Sequence, residues 1–123
     1  MFLLKKLIVT LFVSILMLGS AQAFEPAESE QTLTHVIDLN AQLITAMKAG
    51  ESAEAVAALL KATKQSSKSV VISGPADLNK QRGGMALRKS RRAFRDGDTE
   101  KAIELATDAI NYYKKAQSIA FVK

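Results

Sequence analysis

Apolar positions recur at helical spacing in four stretches of the chain. In the first, Leu33, Val36, Ile37, Leu43, Ile44 and Met47 fall along one stripe with Asn40 as its only polar member, which predicts a helix over about 31–49. The second stripe runs through Ala55, Val56, Leu59, Leu60 and Thr63, and its alanines favour helix over about 52–66. The third, about 76–95, gathers Gly83, Ala86, Ser90 and Ala93 on one face. Leu78 and Met85 flank that face on one side and Leu87 and Phe94 on the other, with Gln81, Arg88, Arg91, Arg92 and Arg95 opposite. A seam of small residues invites close approach of another helix, and close packing or a kink would compensate the helix-weakening pair Gly83-Gly84. The fourth stripe, about 99–119, carries Ala102, Ile103, Ala106, Ala109, Ile110, Tyr113 and Ala120.

The breaks between stripes repeat. Lys48-Ala49-Gly50-Glu51-Ser52 and Arg95-Asp96-Gly97-Asp98-Thr99 share a basic residue, a glycine and then acid or hydroxyl groups, and their glycines lie 47 residues apart. Glycine supplies the left-handed conformation that ends a helix, and the following oxygens can cap the next one. Each break therefore reads as the turn of a helical hairpin. Two hairpins with one apolar face each must cover those faces against one another. The predicted fold is all-α, an up-down-up-down four-helix bundle.

The segment before the first stripe and the one between the hairpins differ in kind. Lys5 and Lys6, the apolar run Leu7–Leu18 and Ala21-Gln22-Ala23 form a signal-peptide pattern, so residues 1–23 are read as a leader cleaved after Ala23. The apolar run is short of the roughly 20 residues a bilayer-spanning helix needs. The expected product is an exported chain, periplasmic or extracellular, with residues 24–123 as one bundle domain and no transmembrane segment. Residues 24–30, with Pro26 and three acids, read as a flexible lead-in. Ser66-Ser67-Lys68-Ser69-Val70-Val71-Ile72-Ser73-Gly74-Pro75 ends regular helix, and a lone strand would have nothing to pair with. An extended connector across the end of the bundle is expected, with Pro75 in the first turn of the third helix.

Charge changes the picture more than composition does. Residues 24–60 hold six acids against one lysine, 61–95 hold ten basic residues against Asp77, and 96–123 hold five acids against four lysines. There is no cysteine, so neither disulfides nor thiol chemistry are available. No Ser–His–acid arrangement and no phosphate loop stands out, and no enzymatic activity is expected. His35 is the only histidine and Asp38 lies one turn beyond it, a sparse ligand pair for a metal ion. Arg88, Arg91, Arg92 and Arg95 recur at i, i+3, i+4 and i+7 and present planar donors in one row. Such a row suits an anionic partner or lipid head groups, or else it is simply a solvated face, with or without pairing to the acids of the first two helices. Without interleaved aromatics, an exported chain gives no reason to expect nucleic acid. Tyr113 belongs to the core stripe and Tyr112 to its flank.

Two resemblances follow from these motifs. The run Ala93–Ile103 resembles the inter-helix turn of a tetratricopeptide repeat, although Ser90 stands where that motif has its glycine and the period of 47 is not 34. Over Thr34–Ala116 the chain resembles the bacterial small metal-binding protein family, with Thr34-His35-Val36 like its helix opening and Ala106, Ala109, Ile110 and Tyr112 like its closing helix. That resemblance implies an exported protein of two helical hairpins that binds divalent metal through many histidines. Glu51, Gln65, Asp98 and Tyr112 stand at positions where the family carries histidine. What the resemblance implies here is therefore weak or vestigial binding of copper, nickel or zinc, with His35, Asp38, Glu51 and Asp98 as donors. The alternative is a module that uses the basic face of the third helix to hold anionic partners or the membrane surface.

Overall fold

The computed structural model describes residues 26–121, with side chains from Ser29 onward. Four helices fill it: α1 (Pro26–Lys48), α2 (Ala53–Lys68), α3 (Gly74–Arg95) and α4 (Thr99–Ala120). Successive helices are joined by short links and run antiparallel, giving the all-α up-down-up-down bundle that the two-hairpin pattern predicts. α1 packs on α2 and α4, and α3 packs on α4 and, far more loosely, on α2, while the backbones of diagonally opposed helices stay apart. The leader read at residues 1–23 lies outside the described residues. None of the described helices is long and apolar enough to cross a membrane.

The hairpin turns explain the chain's internal repeat. At the first, the Gly50 N–H donates to the Met47 carbonyl at 3.2 Å and the Glu51 N–H to Ala46 at 3.0 Å. The second repeats this pair of bonds, Gly97 to Phe94 at 3.1 Å and Asp98 to Ala93 at 2.9 Å. Both glycines sit at positive φ, 70° and 87°, as this helix-ending motif requires. Capping of the next helix falls to Ser52, whose hydroxyl accepts from the Ala55 N–H, and to Asp98, whose carboxylate accepts from Lys101.

Two expectations need correction. Residues 26–30 are already part of α1, so the described portion of what reads as a flexible lead-in is helical, while residues 24 and 25 lie outside the described residues. α2 also runs on to Lys68, because Ser66 and Ser67 are buried rather than looping out. The connector is extended as expected, but its side chains divide. Val70 enters the core and Ile72 packs against it, whereas Val71 points to solvent. The Val71 N–H donates to Ser29 Oγ at 3.2 Å, and Lys80 Nζ donates to the Val70 carbonyl at 3.0 Å, which ties the connector to α1 and α3.

α4 is the hub of the core. Its buried stripe is Ala102, Ala106, Ala109 and Ala116 plus Tyr113, so two neighbouring helices can come close to its backbone. Ser90, fully buried on α3, donates to the Ala102 carbonyl at 2.6 Å. Asn40 is fully buried on α1; with its amide oriented to satisfy both ends, the nitrogen donates to Ala106 and the oxygen accepts from the Ile110 N–H, each at 3.1 Å. The one polar member of the first stripe is thus a link between helices. A Cβ on Gly83 would lie 2.9 Å from the Tyr113 ring, so the absent side chain is what lets the ring lie against α3. Gly84 has open space around its own missing Cβ and serves no such purpose.

Candidate functional site: a cationic groove between α2 and α3

The small-residue seam of α3 faces α4 as its spacing predicts: Gly83, Ala86, Ser90 and Ala93 are all buried. That choice fixes where the rest of α3 points. Arg88, Arg91, Arg92 and Arg95 are exposed, and so are Leu78 and Met85, which were expected to flank the core. The correction is one of angle. Leu78 and Met85 lie near the outward crest of the helix, more than a quarter turn from the centre of the seam at 100° per residue.

The arginine row does not act as one surface. Arg88 and Arg91 turn toward α2, where they meet Lys61, Lys64 and Lys68, which recur on that helix at i, i+3 and i+7. Between the two helices runs a groove of about 460 Å³ with Ala57, Leu60 and Leu87 as its apolar part and Gln65 as its uncharged polar group. Five cations and no acid line it. Arg92 turns the other way, toward a depression near the α3–α4 turn that it shares with Lys89, Lys101, Asp96 and Asp98. There the two signs of charge are mixed. Arg95 stands exposed in the last turn of α3, where a cation suits the negative helix end.

Like charges converging on one groove repel unless something compensates them. Among the described residues the only ion pair is Lys80 with Asp77 at 3.6 Å, within the first turns of α3. Among the described residues no ion pair joins an acid of α1 or α2 to the arginine row, whose members are exposed to solvent. The five groove cations surround an apolar floor and none of them makes an ion pair with a described acid. Such an arrangement attracts anions, and its guanidinium groups can bind carboxylate or phosphate oxygens in pairs.

The expected metal donors are not brought together. His35 is half-buried and Asp38 exposed, both in the first half of α1, while Glu51 lies in the turn after α1. The helix from His35 to Lys48 alone spans about 20 Å. Asp98 stands in the other hairpin turn with its carboxylate engaged as the cap of α4. No group of three histidine, cysteine, aspartate or glutamate residues able to hold a metal ion occurs among the described residues.

Tyr113 of α4 is a titratable group placed wholly inside the core. Burial against Gly83 and the core pushes its phenol above the ordinary value, and Ser67 lies near enough to offset this only in part. The hydroxyl is buried and completes no hydrogen bond of acceptable geometry.

Comparison with known proteins gives no match to a family model, a curated protein or a solved structure.

Proposed function

We propose that this chain is a small, non-enzymatic helical module that binds anionic partners through the basic groove between α2 and α3. The observation that carries this reading is the groove itself: Lys61, Lys64, Lys68, Arg88 and Arg91 surround it with no acid among its lining residues. Holding five like charges there is unfavourable for folding, and a polyanion relieves that repulsion when it binds. The leader-like residues 1–23 support an exported setting, where such a module would meet anionic surfaces. Divalent-metal binding has less support, because His35 and Asp38 lie along α1, away from the end of the bundle whose two turns carry Glu51 and Asp98, and no group of three potential donors occurs among the described residues.

Heparin chromatography of the chain from Phe24, which holds all four helices and the whole described core, tests the reading. The triple substitution Lys64→Gln, Arg88→Gln, Arg91→Gln should elute at distinctly lower salt than wild type. Its folding stability should stay within about 0.5 kcal/mol, since all three side chains stand at the surface. Elution at unchanged salt would remove the groove as the binding site.

A further inference from the structure

Among the described residues four large apolar side chains stand exposed, and three of them, Val71, Leu78 and Met85, lie on the connector and α3. Leu78 and Met85 are seven residues apart, so they share one stripe of the helix, and at 47% and 53% exposed they form its outward crest. Val71, 66% exposed, lies just before the start of the same helix. These residues are not displaced members of the core, because the seam facing α4 is already filled by Gly83, Ala86, Ser90 and Ala93.

Cations run along both sides of the crest. At 100° per residue Arg82 and Lys89 fall on one flank and Arg88 and Arg91 on the other, while Arg92 continues the crest itself. An ordinary solvated helix face would carry polar residues where Leu78 and Met85 stand. A helix with apolar residues at its crest and lysine and arginine beside them suits a lipid surface, where the apolar groups reach the boundary of head groups and acyl chains. The cations then lie level with phosphate groups.

We infer that α3 docks this protein onto an anionic lipid bilayer, lying in the plane of the surface. The inference rests on the anion-binding reading above and commits its partner to a membrane: the groove and flank cations engage lipid phosphates while Leu78 and Met85 enter the interface. A soluble polyanion would use the cations and leave the apolar crest without a role. That difference separates the two.

Sedimentation of the chain from Phe24 with vesicles is the test, run beside the heparin column. Wild type should sediment with vesicles of phosphatidylcholine mixed with phosphatidylglycerol and stay in solution with phosphatidylcholine alone. The double substitution Leu78→Gln, Met85→Gln should lower partitioning onto the mixed vesicles roughly tenfold, with heparin elution unchanged. Arg82→Gln and Lys89→Gln should each lower it about fivefold at low salt. All of these positions are at the surface, and a thermal midpoint near that of wild type confirms that each variant is folded. Wild type that elutes late from heparin yet leaves mixed vesicles untouched overturns the bilayer inference and leaves anion binding standing. Leu78→Gln, Met85→Gln protein that partitions like wild type overturns it as well. Failure on heparin and vesicles alike removes both readings.

Discussion

α3 meets its two neighbours in opposite ways. Against α4 it presents Gly83, Ala86, Ser90 and Ala93, and α4 answers with alanines, a tyrosine ring and a backbone carbonyl within reach of Ser90. Against α2 the same helix presents Leu87, Arg88 and Arg91, and α2 answers with Leu60 and three lysines. On the α4 side small residues let the backbones approach, and each atom is held by close packing. On the α2 side long charged side chains keep the helices apart and leave a groove. The close-packed seam and the proposed binding groove thus lie on different flanks of one helix. A change on one flank should leave the other largely alone.

Overpacking gives the largest contrast. Ala86→Leu or Ala93→Leu should cost about 1–3 kcal/mol, read as a lower midpoint in thermal unfolding. Ala57→Leu adds the same atoms to the exposed groove between α2 and α3 and should change stability by no more than about 0.5 kcal/mol. Equal losses from both would mean that the two flanks are packed alike.

The adjacent glycines sharpen the contrast to a single methyl group. Gly83→Ala drives a Cβ into the Tyr113 ring at 2.9 Å, and the net loss after the gain in helix propensity should be about 1 kcal/mol. Gly84→Ala meets nothing within 4 Å and should stabilise by about 0.5–1 kcal/mol in denaturant unfolding. A harmless Gly83→Ala would show that the ring does not press on α3.

The smallest expected effect at neutral pH is that of Tyr113→Phe. The phenol oxygen is buried without a hydrogen bond, so its removal should leave stability unchanged or raise it by up to about 1 kcal/mol. The alkaline limb then distinguishes the variants. In the unfolded chain Tyr113 releases its proton near the ordinary value of 10.0, whereas in the fold burial holds that proton to higher pH. The unfolded state therefore binds fewer protons above that value, and this contribution to stability is present below it and lost as pH rises toward the folded-state value. Urea unfolding at neutral pH and above about pH 10 should show the wild-type curve falling faster than that of Tyr113→Phe. Parallel curves would refute the assignment of this titration to Tyr113.

The architecture is legible because its signals are local. Gly50 and Gly97 end their helices wherever those helices pack, and Gly83, Ala86, Ser90 and Ala93 fall on one face by spacing alone. Asn40 was visible as a polar residue on an apolar stripe, but its partners lie on α4 and no property of its own helix points to them. The groove is partly legible for the same reason. Arg88 and Arg91 belong to a visible row, whereas Lys61, Lys64 and Lys68 gain their significance only when α2 is laid beside α3. Their spacing at i, i+3 and i+7 was the available signal. Leu78 and Met85 mislead because apolar character suggests the core while their angular position places them on the crest. Hydrophobicity and helical phase disagree there, and phase prevails because small residues already fill the seam.

The division of charge among the helices also governs how the molecule meets another body. α2 carries three lysines against Glu54 and α3 seven basic residues against Asp77, while α1 carries three acids against Lys48 and α4 balances its charges. One side of the bundle is strongly positive and the opposite side weakly negative, so a distant anionic surface exerts a torque as well as an attraction. Within about one Debye length, near 8 Å at physiological ionic strength, that torque turns the α2–α3 side forward before contact. Encounters with an anionic surface then begin with the α2–α3 side forward rather than at random, which is the orientation the proposed docking requires.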